Sequence, residues 1–141
     1  MKVSFDFDST LDRQDVQRFA KELVKAGHEV WVVTSRCTTE YATEKGWHWV
    51  DKQNRKLFRV ADNIGIKREH IVFTNHVSKS ESIKDKGFVF HLDDDVDELM
   101  DIIATKDPCK PINVDHFEWE MDCRKIIEIE NYLENPNQGY K

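Results

Sequence analysis

Short apolar runs alternate along this chain with longer stretches in which apolar residues recur every three or four positions. The first run, Val3-Ser4-Phe5, stops at the acidic segment Asp6-Phe7-Asp8, the pattern of a buried strand that ends in a polar loop. Val16, Phe19, Ala20, Leu23 and Val24 follow at helical spacing, and Gly27 stands where helices commonly terminate. Val30-Trp31-Val32-Val33 is a second, β-branched run, bounded by Gly27 upstream and Thr34-Ser35 downstream. Strand, helix and strand at this spacing predict a parallel βαβ unit.

The alternation continues less cleanly. Helices are predicted over 39–45, ending at Gly46, and over 57–64, ending at Gly65. Ile71-Val72-Phe73 reads as a third strand, and Phe88-Val89-Phe90-His91-Leu92, after Gly87, as a fourth that runs into Asp93-Asp94-Asp95. Val96, Leu99, Met100, Ile103 and Ala104 form a further helical face, and Pro108 and Pro111 mark a loop. Residues 112–114 are expected to add an edge strand, and Ile126, Ile127, Ile129 and Leu133 belong to a C-terminal helix. The pattern predicts an α/β fold: a three-layer α/β/α, Rossmann-like arrangement with a mostly parallel sheet and ligands at the carboxyl ends of its strands. One domain is expected over 1–134, with a flexible tail over 135–141.

Composition narrows the function classes. A chain of 141 residues, 39% apolar and 34% charged, is sized for one hydrophobic core under a charged surface. Its net charge of −6 disfavours sequence-independent binding to nucleic acid or to anionic membrane. No stretch approaches the roughly 18 apolar residues of a membrane-spanning helix, and the N-terminus lacks a signal-peptide layout, so a cytoplasmic location is expected. Cys37, Cys109 and Cys123 are odd in number and form no C-x-x-C pair, which predicts free thiols and no structural zinc.

The chemistry-bearing residues all follow apolar strands: Asp6 and Asp8 the first, Thr34 and Ser35 the second, Asp93 and Asp94 the fourth. In a parallel sheet those ends share one edge, so the four carboxylates are expected in one crevice. Such crowding calls for a cation, and all-oxygen ligands select a hard one such as Mg²⁺. Taken singly, each cluster also reads as a helix cap, Asp93-Asp94-Asp95 above all. His76 and His91 flank the crevice and read first as hydrogen-bonded packing residues, second as ligands. Trp47 and Trp49 read first as loop packing, second as a stacking surface at the pocket mouth.

The ordered set resembles the haloacid dehalogenase superfamily of phosphohydrolases. Asp6-Phe7-Asp8-Ser9-Thr10 after its strand is similar to the D-x-D-x-T motif, Val32-Val33-Thr34 to the second motif, and Leu92-Asp93-Asp94 to the paired-acid fourth motif. Ser35-Arg36 looks like the arginine-bearing variant of some nucleotide-processing members. The third motif is a lysine, sought among Lys79, Lys84 and Lys86, with Lys79 preferred because it follows the Thr74-Asn75-His76 loop.

The resemblance implies a magnesium-dependent phosphatase with Asp6 as nucleophile and Asp8 as general acid and base. It places the metal on Asp6, the Asp8 carbonyl, Asp94 and Asp93, and the phosphate on Thr34, Ser35, Arg36 and Lys79. Only one helix fits between Asp8 and Thr34, so the implied member is a capless one. The implied substrate is a phosphorylated small molecule such as a nucleotide. The alternatives are a phosphorylated nucleic-acid end, a phosphoprotein, or a non-catalytic binding domain on the same fold.

Overall fold

The apolar runs form five strands, β1 (Lys2–Phe5), β2 (Glu29–Thr34), β3 (Ile71–Phe73), β4 (Phe88–Asp93) and β5 (Lys110–Asn113). They pair in parallel throughout, in the order β3-β2-β1-β4-β5. This computed structural model describes residues 1–136; the expected tail beyond Pro136 lies outside the described residues. The connections carry α1 (Gln14–Lys25), α2 (Thr39–Glu44), α3 (Val50–Ile64), α4 (Ser80–Ile83) and α5 (Val96–Ala104), and α6 (Trp119–Glu134) follows β5.

Helices cover both faces of the sheet, which is why its central strands are apolar on both sides. On one face α1, α3 and α6 bring Phe19, Leu57, Ala61, Trp119 and Cys123 against Val3, Phe5, Val32, Phe90 and Leu92. The rings of Phe5, Phe19 and Phe90 meet with centroids 5.7–6.4 Å apart. On the other face α4 and α5 supply Ile83 and Ile102 to Val33, Phe88 and Cys109. The result is the three-layer α/β/α fold, with no large cap.

Strand order reverses between β1 and β4: β2 and β3 are added on one side of β1, β4 and β5 on the other. Loops leaving the two strands at such a point diverge and leave a crevice. A shift in the β1–β4 ladder tunes what enters it. Lys2 pairs with Phe88, but Ser4 pairs with His91 and Phe5 with Leu92, so β4 accommodates one extra residue. A one-residue slip exchanges the faces of a strand. Here it sets His91 beside Ser4 and brings Asp93 level with Asp6.

Several elements differ from their sequence pattern. The helix expected over 57–64 begins at Val50, because its buried stripe continues upstream through Asn54, a polar residue at a core position. Pro111 lies inside β5 rather than in a loop, which an edge strand tolerates because an outward-facing position needs no N–H. In α5 only Leu99 and Ile102 are buried, while Val96, Met100 and Ile103 face outward. All three cysteines are free and buried. Among the described residues no helix is long and apolar enough to cross a membrane.

Candidate active site

Asp6 sits where β1 ends, and its amide still donates to Leu92 O of β4 at 2.8 Å, which fixes its backbone to the sheet. The next five residues form a tight turn, with Leu11 N bonding Asp6 O and Asp12 N bonding Phe7 O. Ser9 closes it in the left-handed region at φ 59, a conformation that favours glycine. The turn carries Thr10 back to Asp6, where its hydroxyl donates to Asp6 Oδ2 at 3.4 Å.

Across the crevice Lys79, only 2% exposed, donates from Nζ to Asp6 Oδ1 at 2.8 Å and to Asp93 Oδ2 at 2.7 Å. Its own amide is held by Glu98 of α5 at 2.7 Å. Lys84 and Lys86 are exposed. Behind Asp93, His91 is completely enclosed, with Nε2 2.8 Å from Asp93 Oδ2 and Nδ1 2.8 Å from the Ser4 hydroxyl. A carboxylate only accepts, so Nε2–H donates to Asp93 and Nδ1 accepts from Ser4.

The three consecutive aspartates divide three tasks. Asp93 is buried against Lys79 and His91, and its second oxygen accepts from Asp95 N at 3.0 Å. Asp94 turns toward the same point, with a carboxylate oxygen within 4.8 Å of those of Asp6 and Asp93. Asp95 caps α5, accepting from Asp97 N and Glu98 N. The cap reading thus applies to Asp95 alone of the three.

Electrostatics separate the carboxyls further. Burial first, then the charge of Asp93, push Asp6 up to about 8 despite the pull of Lys79. Burial likewise raises Asp94. Burial works against the charge of Asp93 too, but the hydrogen bond from His91 and the Lys79 ammonium outweigh it and hold Asp93 below the ordinary carboxylate range. Burial lowers His91, so it acts as a neutral donor. For Lys79 burial opposes the charge, and Asp6 and Asp93 overcome it and raise the ammonium.

Asp6, Asp93 and Asp94 offer oxygens all within 4.8 Å of one another. The donor set is all carboxylate, and Asp6 is ionised near neutrality only when further positive charge offsets its surroundings, so the residues fit a hard divalent cation. Both oxygens of Asp93, and both of Asp6, already accept protein hydrogen bonds, which leaves Asp94 as the least committed ligand. The Asp8 carboxylate lies outside this group.

Asp8 turns instead to Arg36, whose Nε and Nη2 grip its two oxygens at 2.8 and 2.6 Å while Nη1 donates to Gln53 O at 2.7 Å. The guanidinium expected to meet phosphate is therefore engaged with the second motif aspartate. Thr34 is buried at the end of β2 and accepts from Arg36 N, leaving its own proton to be donated. Ser35 contributes its carbonyl to His76 N, and no described side-chain bond joins it to the cluster. Thr74, buried just past β3, bonds Thr34 O through its amide while its hydroxyl has no partner.

The fold and crevice define a doubly wound α/β protein with a carboxylate–lysine centre at its switch point. No family model, no curated protein and no solved structure matches the chain. Asp6, Lys79, Asp93 and Asp94 are brought into direct contact, Asp8 and Arg36 form a pair at the rim, and Thr34 lies beside them. Sequence reasoning gave no role to Ser4, Thr10 or Glu98, while His91 is the buried, hydrogen-bonded packing residue that it suggested first; the alternation of Ser4 and His91 with apolar neighbours on β1 and β4 was the available signal for the pair.

Proposed function

We propose that this chain is a magnesium-dependent phosphohydrolase of the haloacid dehalogenase type, acting on phosphomonoesters through an aspartyl-phosphate on Asp6. The observation that carries the reading is the position of Asp6. It stands at the end of the central strand at the switch point, one oxygen bonded to the Lys79 ammonium and its carboxyl grouped with those of Asp93 and Asp94.

Phosphoryl transfer asks chiefly for placement and for positive charge around the in-line oxygens. Asp6, Asp94 and, behind them, Asp93 would hold the cation, which would supply charge neutralisation for the phosphoryl oxygens and keep Asp6 ionised. Lys79 holds Asp6 in place and meets the charge that develops beside it. The Thr34 hydroxyl donates to a phosphoryl oxygen. Attack by an Asp6 oxygen forms the P–O bond as the ester P–O bond breaks, and the leaving oxygen takes a proton from Asp8.

That last step involves Arg36. Its Nε and Nη2 cannot hold Asp8 and a phosphoryl group together, so an arriving phosphate that draws the guanidinium away frees Asp8 to take up, from solvent, the proton it passes to the leaving oxygen. Asp8 then removes a proton from the water that hydrolyses the acyl phosphate.

Hydrolysis of an aryl phosphate with Mg²⁺ by wild type and Asp6→Asn tests the reading. The variant keeps the shape but loses the nucleophilic oxygen, and activity should fall about 10⁴-fold or more. Beryllium fluoride should label Asp6 and leave Asp8 unmodified. Full activity in the variant, or an adduct on Asp8, refutes it.

A further inference from the structure

Beside Arg36, on the β2–β3 side of the crevice, the segment between α2 and α3 borders a groove of about 260 Å³. Its walls include Arg36, Trp47, Trp49, Gln53, Asn54 and His76. Trp47 is half-buried against Cys37, Ala42 and Val50, with Tyr41 alongside, so it is a fixed wall. Trp49 is not. It is 60% exposed, with its ring centroid 6.5 Å from that of Trp47 and the planes 32° apart. His76 meets Trp47 at 6.3 Å, held by a backbone at φ 69. Asn54 occupies its core position on α3 with Nδ2 donating to Cys37 O at 2.9 Å, and its Oδ1, buried in the same wall, has no donor.

We infer that this groove is the leaving-group pocket and takes a nucleobase, which makes nucleoside monophosphates the substrate class. The inference rests on the phosphohydrolase reading for the fate of the phosphate, and on the groove alone for what is bound. The volume falls below the ~300–1,000 Å³ typical of pockets that enclose a whole drug-sized ligand, and suits a single ring system. Indole faces stack on any base. The exposed Gln53 of the wall carries an amide that can pair with the N–H and acceptor edge of a base, an edge a phenyl ring lacks, and this favours a nucleobase over the tyrosyl ring of a phosphoprotein. Arg36 joins the two halves, lining the groove with the guanidinium that grips Asp8.

Calorimetric titration of the full chain with nucleosides, nucleoside 5′-monophosphates and ribose 5-phosphate tests the pocket without any turnover. Nucleosides and nucleotides should bind saturably, ribose 5-phosphate at least tenfold more weakly, and Trp49→Ala should weaken nucleotide binding about tenfold or more. In Mg²⁺ assays the kcat/KM ratio of nucleotide to ribose 5-phosphate should fall by a similar factor in Trp49→Ala, a ratio in which any general loss of activity cancels. Nucleoside binding without hydrolysis of either phosphate would keep the pocket and discard the phosphatase reading. Equal hydrolysis of both phosphates without nucleoside binding would do the reverse. Unchanged nucleotide affinity in Trp49→Ala, or tighter binding of a phosphotyrosine peptide than of any nucleotide, overturns the inference.

Discussion

Lys79 and Arg36 each grip an aspartate of the first loop, one in the interior and the other at the rim. The side chains of Lys79 and Asp6 are almost wholly enclosed, and Asp93 completes a chain of hydrogen bonds that runs through His91 to Ser4. The Asp8 side chain, by contrast, is 55% exposed, and the Arg36 side chain, 17% exposed, rests against the Gln53 carbonyl and the Phe7 ring. Interior charges with fixed partners are costly to unpair, whereas a solvated pair exchanges partners at little cost. On the proposed phosphohydrolase reading, the difference gives the lysine side the task of holding the Asp6 carboxylate still and the arginine side that of moving when substrate arrives.

The largest expected consequence is for Lys79→Met. It leaves Asp6 and Asp93 facing each other without their shared cation, and should lower unfolding free energy by about 3–5 kcal/mol, measured as the denaturant midpoint at neutral pH. A midpoint close to wild type would erase the contrast between interior and rim.

A second expectation concerns pH. Asp6 is raised to about 8 in the fold from an ordinary 3.8, so between those values the native state keeps a proton that the unfolded chain has released. Stability of the metal-free protein should therefore fall as pH rises. His28 and His91 are lowered from 6.5 and act in the opposite direction below that value, so the clean window is pH 6.5 to 8. There the slope should approach, without exceeding, ~1.4 kcal/mol per pH unit, and saturating Mg²⁺ should flatten it. Thermal melts across the window that rise with pH would place the buried proton elsewhere.

Arg36→Ala should show the smallest effect on the fold, under ~1 kcal/mol in the same denaturant measurement. Its kcat/KM on an aryl phosphate should nonetheless fall about tenfold, since the fork meets the phosphoryl group only after releasing Asp8. A stability loss as large as that of Lys79→Met would make the rim pair structural.

The parts of this molecule that were legible in the sequence are those set by burial on two sides. β1, β2 and β4 announce themselves as apolar runs, and α1 by its spacing, because each position answers to one nearby surface. Lys79 could be singled out from Lys84 and Lys86 by following a strand-end loop. What stayed hidden depends on distant partners. The first turns of α3 were obscured because Asn54 fills a core position with a polar side chain. The extra residue in β4 has no local signature, yet it decides that Asp93 meets Asp6. The Asp8–Arg36 grip depends on two rotamers and a loop path that no spacing records, and the division of tasks among Asp93, Asp94 and Asp95 follows from where the strand stops.

Strand order has one more consequence. Asp6, Asp93, Asp94 and Lys79 come from β1, β4 and the chain leading into β4, while Arg36, Trp47, Trp49, Gln53 and Asn54 come from the segment between β2 and β3, and His76 from the loop just past β3. On the proposed reading, reactivity and recognition are thus encoded in largely separate stretches of sequence that meet at the crevice. Substitutions between Trp47 and Asn54 should therefore alter what the groove admits while leaving Asp6, Lys79, Asp93 and Asp94 in register.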